Sequence, residues 1–292
     1  MIRGLYTAAA GMITQQRRHD TATQNIANLN TTGYKQVDSI SHAFPDVLIS
    51  AMNNNGTSKT IGRLNTGVFA EQSVSQYLQG DLIQSGKSID FALSTDLQVA
   101  DPTTGANMSF DGSGKNINAN GEVTYQPQAF FTVQDNEGNN LYTRNGSFSV
   151  TATGDVLSAG GFKVLDANGK PIVLTEPQDN LKVDGQGNLL NSATGLPSGI
   201  KLGVSVVMKP QELVRDGNGV FHADDAGAAG IRNSAATDNM QVRQGYLENS
   251  NVDATQATVD LNAAYRAYEA NQKVIQFYDS SLQKAVNEVG RV

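Results

Sequence analysis

The chain has 292 residues, 21 basic and 28 acidic, a formal net charge of −7, 39% hydrophobic and 17% charged residues, and no cysteine. That length builds one large domain or two ordinary ones without covalent staples. The acidic balance excludes nucleic acid as the main partner, because phosphate binding needs a basic face; the missing cysteine excludes a disulfide framework, thiolate zinc sites and a cysteine nucleophile.

From the N-terminus, Ile2, Leu5, Ala9, Met12, Gln16, His19, Thr23, Ile26 and Asn30 alternate steps of three and four, the spacing of a heptad seam. The seam is apolar or small in its first half and mostly polar in its second. It ends at Asn30-Thr31-Thr32-Gly33, a helix-stop sequence. The opening run, Met1 to Ile13, is too leucine-poor for a cleaved signal peptide and closes on Gln15-Gln16-Arg17-Arg18. No segment of the chain approaches the roughly 20 apolar residues of a membrane helix.

Residues 36–65 read as a linker, with Asn, Gly, Thr and Ser concentrated in 51–65. Residues 66–245 read as β structure. Phe130-Phe131-Thr132-Val133 is followed by a turn at Asn136-Glu137-Gly138-Asn139; then come Leu141-Tyr142-Thr143-Arg144, Asn145-Gly146 and Ser147-Phe148-Ser149-Val150. Asn-Gly between extended runs predicts a hairpin. Further turns are expected at Thr153-Gly154-Asp155, Ala159-Gly160-Gly161 and Ala167-Asn168-Gly169-Lys170. Phe148, Val150, Gly154 and Leu157 are echoed by Leu181, Val183, Gly187 and Leu190, too few copies for a solenoid.

At the C-terminal end, Asp253-Ala254-Thr255-Gln256 has the form of a capping box. Ala254, Ala257, Leu261, Ala264, Tyr268, Asn271, Ile275, Tyr278, Leu282, Ala285, Val289 and Val292 then keep three-four spacing, with no Gly or Pro before Gly290. This predicts a helix of roughly 55–60 Å at 1.5 Å per residue. The spacing fits a coiled coil inside one chain as well as contacts that polymerise the chain.

Chemistry-bearing patterns are sparse. His19, His42 and His222 fall in three contexts, with no pair at helical ligand spacing. Asp111-Gly112-Ser113-Gly114-Lys115 lacks the leading glycine and trailing hydroxyl of a phosphate loop. Asp135-Asn136-Glu137-Gly138 and Asp216-Gly217-Asn218-Gly219 lack the alternating carboxylates of a calcium loop, and turn chemistry accounts for both. No Gly-x-Ser-x-Gly elbow is present. Catalytic, cofactor and metal residues are therefore expected to be none.

Both ends carry longer motifs. Leu5-Tyr6-Thr7-Ala8-Ala9-Ala10-Gly11-Met12 with Gln24-Asn25-Ile26-Ala27-Asn28-Leu29-Asn30-Thr31-Thr32-Gly33-Tyr34-Lys35 resembles the N-terminal signature of flagellar rod and hook proteins. Gly245-Tyr246-Leu247-Glu248, Ser250-Asn251-Val252-Asp253 and Tyr265-Arg266-Ala267-Tyr268-Glu269-Ala270-Asn271 resemble the matching C-terminal signature. Ser88 to Leu93, Phe130-Phe131 and Tyr142 to Phe148 are similar to the central β domain of the rod members, and Ala43-Phe44-Pro45-Asp46 is most similar to Gram-positive rod-type proteins. Residues 97–127, rich in Gly and Asn, separate a pair of segments that lie close together in relatives; Ala257 and Leu261 stand where bulkier residues are expected.

The resemblance implies an α+β protein: an N-terminal helix and signature over 1–35, a linker over 36–65, a central all-β domain over 66–245 with an insertion at 97–127, and a C-terminal coiled-coil helix over 246–292. It implies no enzyme and no cofactor. It implies a distal-rod subunit of the basal body, exported unfolded through the flagellar type III channel without a cleaved signal. Its partners would be copies of itself in a helical polymer, other rod and hook proteins and the export apparatus, without nucleic acid or membrane insertion. Leu5, Met12 and Ile26 are expected to bury the first helix, and Leu261, Tyr268, Ile275, Tyr278 and Leu282 the last. Asn25, Asn28, Asn30 and Thr32 are expected to set the turn by side-chain hydrogen bonds, and Gly33 to end the helix. The competing readings are a hook or proximal-rod subunit, a secreted β-rich adhesin or tail-tube-like protein, and a wall hydrolase.

Overall fold

The computed structural model describes residues 2–52, 58–100, 105, 107–111, 114–118, 121–174, 181–191 and 195–289. It is a mixed α and β structure of two compact units, Met1–Ala27, Val37–Val74 and Asp253–Val292 in the first and Asn28–Gln36 and Ser75–Val252 in the second.

The first unit is built on two helices, α1 (Ile2–Ala27) and α2 (Ala254–Lys284), the latter running into a π-helical turn at Ala285–Val289. Ala254–Lys284 alone is about 46 Å long, and the helical run continues through Val289; residues 290–292, where the expected seam ends, lie outside the described residues. Asp253 caps α2, its Oδ1 accepting from Thr255 N–H at 2.7 Å and Gln256 N–H at 3.1 Å. The reciprocal half of the capping box is replaced: Gln256 Nε2 donates forward to Asp260 at 3.1 Å. The helices pack antiparallel. A Cβ on Gly4 would run into the Tyr278 hydroxyl, one on Gly11 would lie 3.1 Å from Asn271 Nδ2, and Arg18 pairs with Asp260 at 3.0 Å. The two glycines thus let the backbones approach where a side chain would hold them apart.

Strands occupy some of the stretch expected as linker. Ser41–Ala43 pairs with Val68–Ala70, and Val47–Met52 forms a hairpin with Ser58–Leu64 around residues 53–57, which lie outside the described ones. Composition concealed this hairpin for a physical reason. Val47, Leu48 and Ile49 are consecutive and all exposed, so no alternating burial pattern marks them. On α1, Arg17 Nη1 donates to Ala70 O at 3.1 Å and Thr7 Oγ1 to Thr66 O at 3.3 Å.

The second unit holds a nine-stranded antiparallel sheet centred on Gln128–Gln134. On one side this strand pairs with Asn140–Thr143, and on the other with Val204–Val207 and Lys163–Val164. It is buried on both faces. Phe131 meets Phe148 at 5.2 Å on one side, and Phe130 meets Tyr77 and Phe221 at 6.0 and 5.7 Å on the other. Two apolar layers result, which is why Phe130 and Phe131 are both 0% exposed.

The turn at 136–139 connects a true hairpin, and so do those at 153–155 and 159–161. Asn145-Gly146 does not. Asn140–Thr143 pairs with Gln128–Gln134 and Val220–Ala223, whereas Phe148–Val150 pairs with Val156–Ser158. A Cβ on Gly146 would collide with Phe91 O, while Phe91 N–H donates to Gly146 O at 3.0 Å. Gly146 serves a backbone crossing, and the local dipeptide signal could not tell that from a turn. Within the insertion, Lys115–Ile117 pairs with Val123–Tyr125. Lys115 N–H donates to Asp111 Oδ1 at 2.9 Å and Asp111 N–H to Lys115 O at 2.8 Å, so the two ends of the phosphate-loop-like motif bond to each other at the open end of this hairpin; its residues 112–113 lie outside the described ones.

Candidate assembly helices and signature turn

The expected seam residues Leu5, Met12, Ile26, Leu261, Tyr268, Ile275, Tyr278 and Leu282 are all half-buried within the first unit. The fully buried helical positions are smaller or polar: Ala8, Thr14, Thr21, Ala22 and Asn25 on α1, Ala257 and Ala264 on α2. Large apolar side chains instead face solvent, with Tyr6 and Phe277 each 69% exposed and Ile13, Val259, Tyr265 and Val286 also exposed. These lie off the heptad seam, so the spacing argument missed them. Charge is divided as well. The first unit carries nine basic and nine acidic residues and the second twelve and nineteen, so the whole net charge of −7 belongs to the β unit.

Within the first unit, Asn25 is buried and clamps Val37 by two bonds, Nδ2 donating to its carbonyl at 2.8 Å and Oδ1 accepting from its N–H at 3.0 Å. The signature turn itself belongs to the second unit. Asn28 Oδ1 accepts from Thr31 Oγ1 at 3.1 Å. The expected hydrogen bonds of Asn30 and Thr32 are not made among the described residues; Asn30 is exposed and Thr32 half-buried. Gly33 has φ 69°, and a Cβ there would lie 2.6 Å from the Arg144 backbone carbon. Both its conformation and its close approach exclude a side chain.

Immediately beyond the turn lies a cluster that no sequence motif pointed to. Lys35, Arg144 and Glu248 are each 1% exposed. Glu248 Oε1 accepts from Lys35 Nζ at 2.7 Å and from Gly80 N–H at 2.9 Å, and Oε2 accepts from Arg144 Nε at 2.7 Å. Lys35 Nζ also donates to Leu78 O at 2.6 Å; Arg144 donates to Ala129 O at 2.7 Å and Leu93 O at 3.2 Å. Burial, which by itself would raise the Glu248 pKa, is outweighed by Arg144 and then Lys35, and the carboxyl is held down at about 2. Burial, and then Arg144, push the Lys35 ammonium down to about 8 against the pull of Glu248. Beside them, Arg215 Nη2 donates to Lys35 O at 3.0 Å, and its guanidinium lies 4.8 Å from the Tyr34 ring centre. Lys35 and Glu248 stand inside the two terminal motifs, yet no spacing rule ties two charges 213 positions apart.

The remaining candidate chemistry is ordinary. His222 has Asp216 against Nδ1 at 2.9 Å and Asp224 against Nε2 at 3.2 Å, so the carboxylates flank opposite ring nitrogens instead of converging. Among the described residues no group of three or more His, Cys, Asp or Glu could hold a metal ion. Asp135 Oδ1 accepts from Glu137 and Asn139 N–H, each at 2.8 Å, so its charge is spent on its own turn.

Three family models match the chain: a flagella basal body rod protein model at residues 5–35, a flagellar hook protein FlgE/F/G D1 domain at 126–193, and a flagellar basal body rod FlgEFG protein C-terminal model at 243–288. The flagellar hook-basal body complex protein FlhO of Bacillus subtilis is 33% identical over 305 residues, covering 100% of both chains. The chain belongs to the flagellar basal-body rod and hook family. FlhP of the same organism is 29% identical over 97% of each chain, and the basal-body rod protein FlgG of Borreliella burgdorferi is 27% identical over 98% of each. These relatives are flagellar structural proteins, and membership of this rod and hook family implies association with other rod and hook components. No helix among the described residues is long and apolar enough to cross a membrane. Lys35, Arg144 and Glu248 fall one in each of the three matched segments, so the buried cluster ties the family's N-terminal, D1 and C-terminal segments together.

Proposed function

We propose that this chain is a subunit of the distal rod, polymerising head to tail through α1 and α2 into a helical tube that transmits torque. The observation that carries the reading is the unfinished surface of the first unit: its seam residues are half-buried, its large apolar side chains are exposed, and its net charge is zero. Exposed apolar groups on a neutral surface favour association, and copies of such a unit do not repel one another. A head-to-tail contact that fails to close generates an open helical polymer. In this reading Leu5, Met12, Ile26, Leu261, Tyr268, Ile275, Tyr278 and Leu282 complete their burial in a coiled-coil core shared between neighbours, and the chain is exported unfolded without a cleaved signal. Asn25, Asn28 and Gly33 hold the turn that follows α1.

Leu261→Asp or Ile275→Asp is expected to abolish assembly and motility while the β unit stays folded by circular dichroism. Unimpaired motility in either variant would sink the proposal. Rod position is tested by electron microscopy of basal bodies from a strain lacking the gene. Structures ending at a short, hookless rod support the distal rod, whereas complete rods without hooks favour the hook reading.

A further inference from the structure

We infer that Glu248 is the closing latch of the second unit: until residue 248 is in place, the nine-stranded sheet stays open, because Lys35 and Arg144 cannot enter its core without their shared counter-charge. This goes beyond the proposed role and does not depend on a position in the rod.

The last strand of the sheet is Ile231–Asn233, so every strand is available well before position 248. Strand pairing and apolar burial alone would let the unit close at that point. The core is not neutral there. Arg144 is buried on the chain segment that follows Asn140–Thr143, and Lys35 is buried with its Nζ on Leu78 O. Carbonyls of Ala129, Leu93 and Leu78 accept from some of their donors but supply no opposite charge, and Arg144 Nε is left to Glu248. An unpaired buried ion carries a desolvation penalty that persists even after relaxation. Glu248 arrives on Tyr246–Glu248, which pairs with Leu82–Gln84, and its backbone carbonyl accepts from Gly33 N–H at 2.7 Å. One residue therefore joins the segments around 33–35, 78–80 and 144.

The order of the chain makes this a timing device. A chain that emerges N-terminus first has its sheet-forming residues and both cations before the anion. Glu248 reaches them only after all nine strands of the sheet, with α2 (Ala254–Lys284) still to follow. Closure of the β unit is thereby tied to the arrival of residue 248, which keeps a chain that lacks it open.

The test uses the full-length protein as wild type, Glu248→Gln, and the combined variant Lys35→Met, Arg144→Met, Glu248→Met. Hydrogen–deuterium exchange is followed in Gln128–Gln134 and Val204–Val207. Glu248→Gln is expected to lower protection about 100-fold or more, and the combined variant to return it to within about tenfold of wild type, because an apolar replacement removes all three buried charges together. Unchanged protection in Glu248→Gln overturns the proposal. So does a combined variant as unprotected as Glu248→Gln, which would assign the effect to shape instead of charge. Pulse labelling during refolding reads the timing. In wild type, protection of Gln128–Gln134 should appear together with that of Tyr246–Glu248, and in the combined variant before it. Wild-type sheet protection that precedes Tyr246–Glu248 would overturn the latch.

Discussion

The two units of this chain finish their interiors by different means. The β unit buries Phe130 and Phe131 completely on opposite faces of one strand and neutralises its core anion with two cations in the same chain. The helical unit buries alanine and threonine while Tyr6, Ile13, Val259 and Phe277 stand in solvent. Burial of apolar area contributes about 25 cal/mol per Å², so each of these exposed side chains leaves part of that contribution unused within one chain. The contrast separates a region whose interior is closed within the chain from one that leaves large apolar side chains exposed, the surface on which the proposed assembly rests. Charge follows the same division, −7 on the first kind of region and zero on the second.

The largest effect should come from exchanging the roles of two phenylalanines. Phe131→Ala in the β unit is expected to cost about 3–5 kcal/mol, measured by denaturant unfolding. Phe277→Ala on α2 should change the stability of the single chain by no more than about 0.5 kcal/mol and reduce motility instead. Equal stability losses at the two positions would erase the distinction between the units.

Acid and alkali sharpen the comparison next, because the shifted groups of the latch all lie in the β unit. The Glu248 pKa is depressed from 4.5 to about 2. Its contribution is present above pH 4.5 and is lost as pH falls through the folded value. Lys35 is depressed from 10.5 to about 8. Between pH 8 and 10.5 the unfolded chain holds more protons at this site, so stability of the β unit should rise with pH across that window. Exchange protection of Gln128–Gln134 recorded from pH 3 to 10, corrected for intrinsic rates, should show both trends, and Lys35→Met should remove the alkaline one. A wild-type profile that is flat on the alkaline side would contradict the buried charged lysine.

Legibility in the sequence followed the range of the interactions. Heptad spacing located both helices, and the Asp253 cap was readable because a cap acts within three residues. The turn at 136–139 was readable for the same reason, since Asp135 folds onto Glu137 and Asn139. Asn145-Gly146 misled because its glycine answers to Phe91, a distant segment. The hairpin Val47–Met52 with Ser58–Leu64 was hidden because alternation marks a half-buried strand, whereas Val47, Leu48 and Ile49 are consecutive and all exposed. The buried ions were beyond any local rule. Their residues were visible within the terminal and central motifs, but only the folded chain places Lys35, Arg144 and Glu248 together.

The smallest effect tests whether the ends of α2 belong to the less self-sufficient region. Asp253 Oδ1 accepts two of the four N–H groups that a helix start leaves without partners. Gln256 does not reach back to support it, being engaged with Asp260. The cap is therefore a single side chain, and Asp253→Ala should cost about 1 kcal/mol. Because Ala257 is the first buried residue after the cap, the loss should stay local. Amide exchange should accelerate over the first turn of α2 and remain unchanged in Gln128–Gln134. Asp253→Asn, which keeps the acceptor without the charge, should recover most of the protection, the remainder measuring the carboxylate's interaction with the helix dipole. If Asp253→Ala instead loosened the β sheet as much as α2, the two units would be one cooperative body, and their division into a finished and an unfinished region would fail.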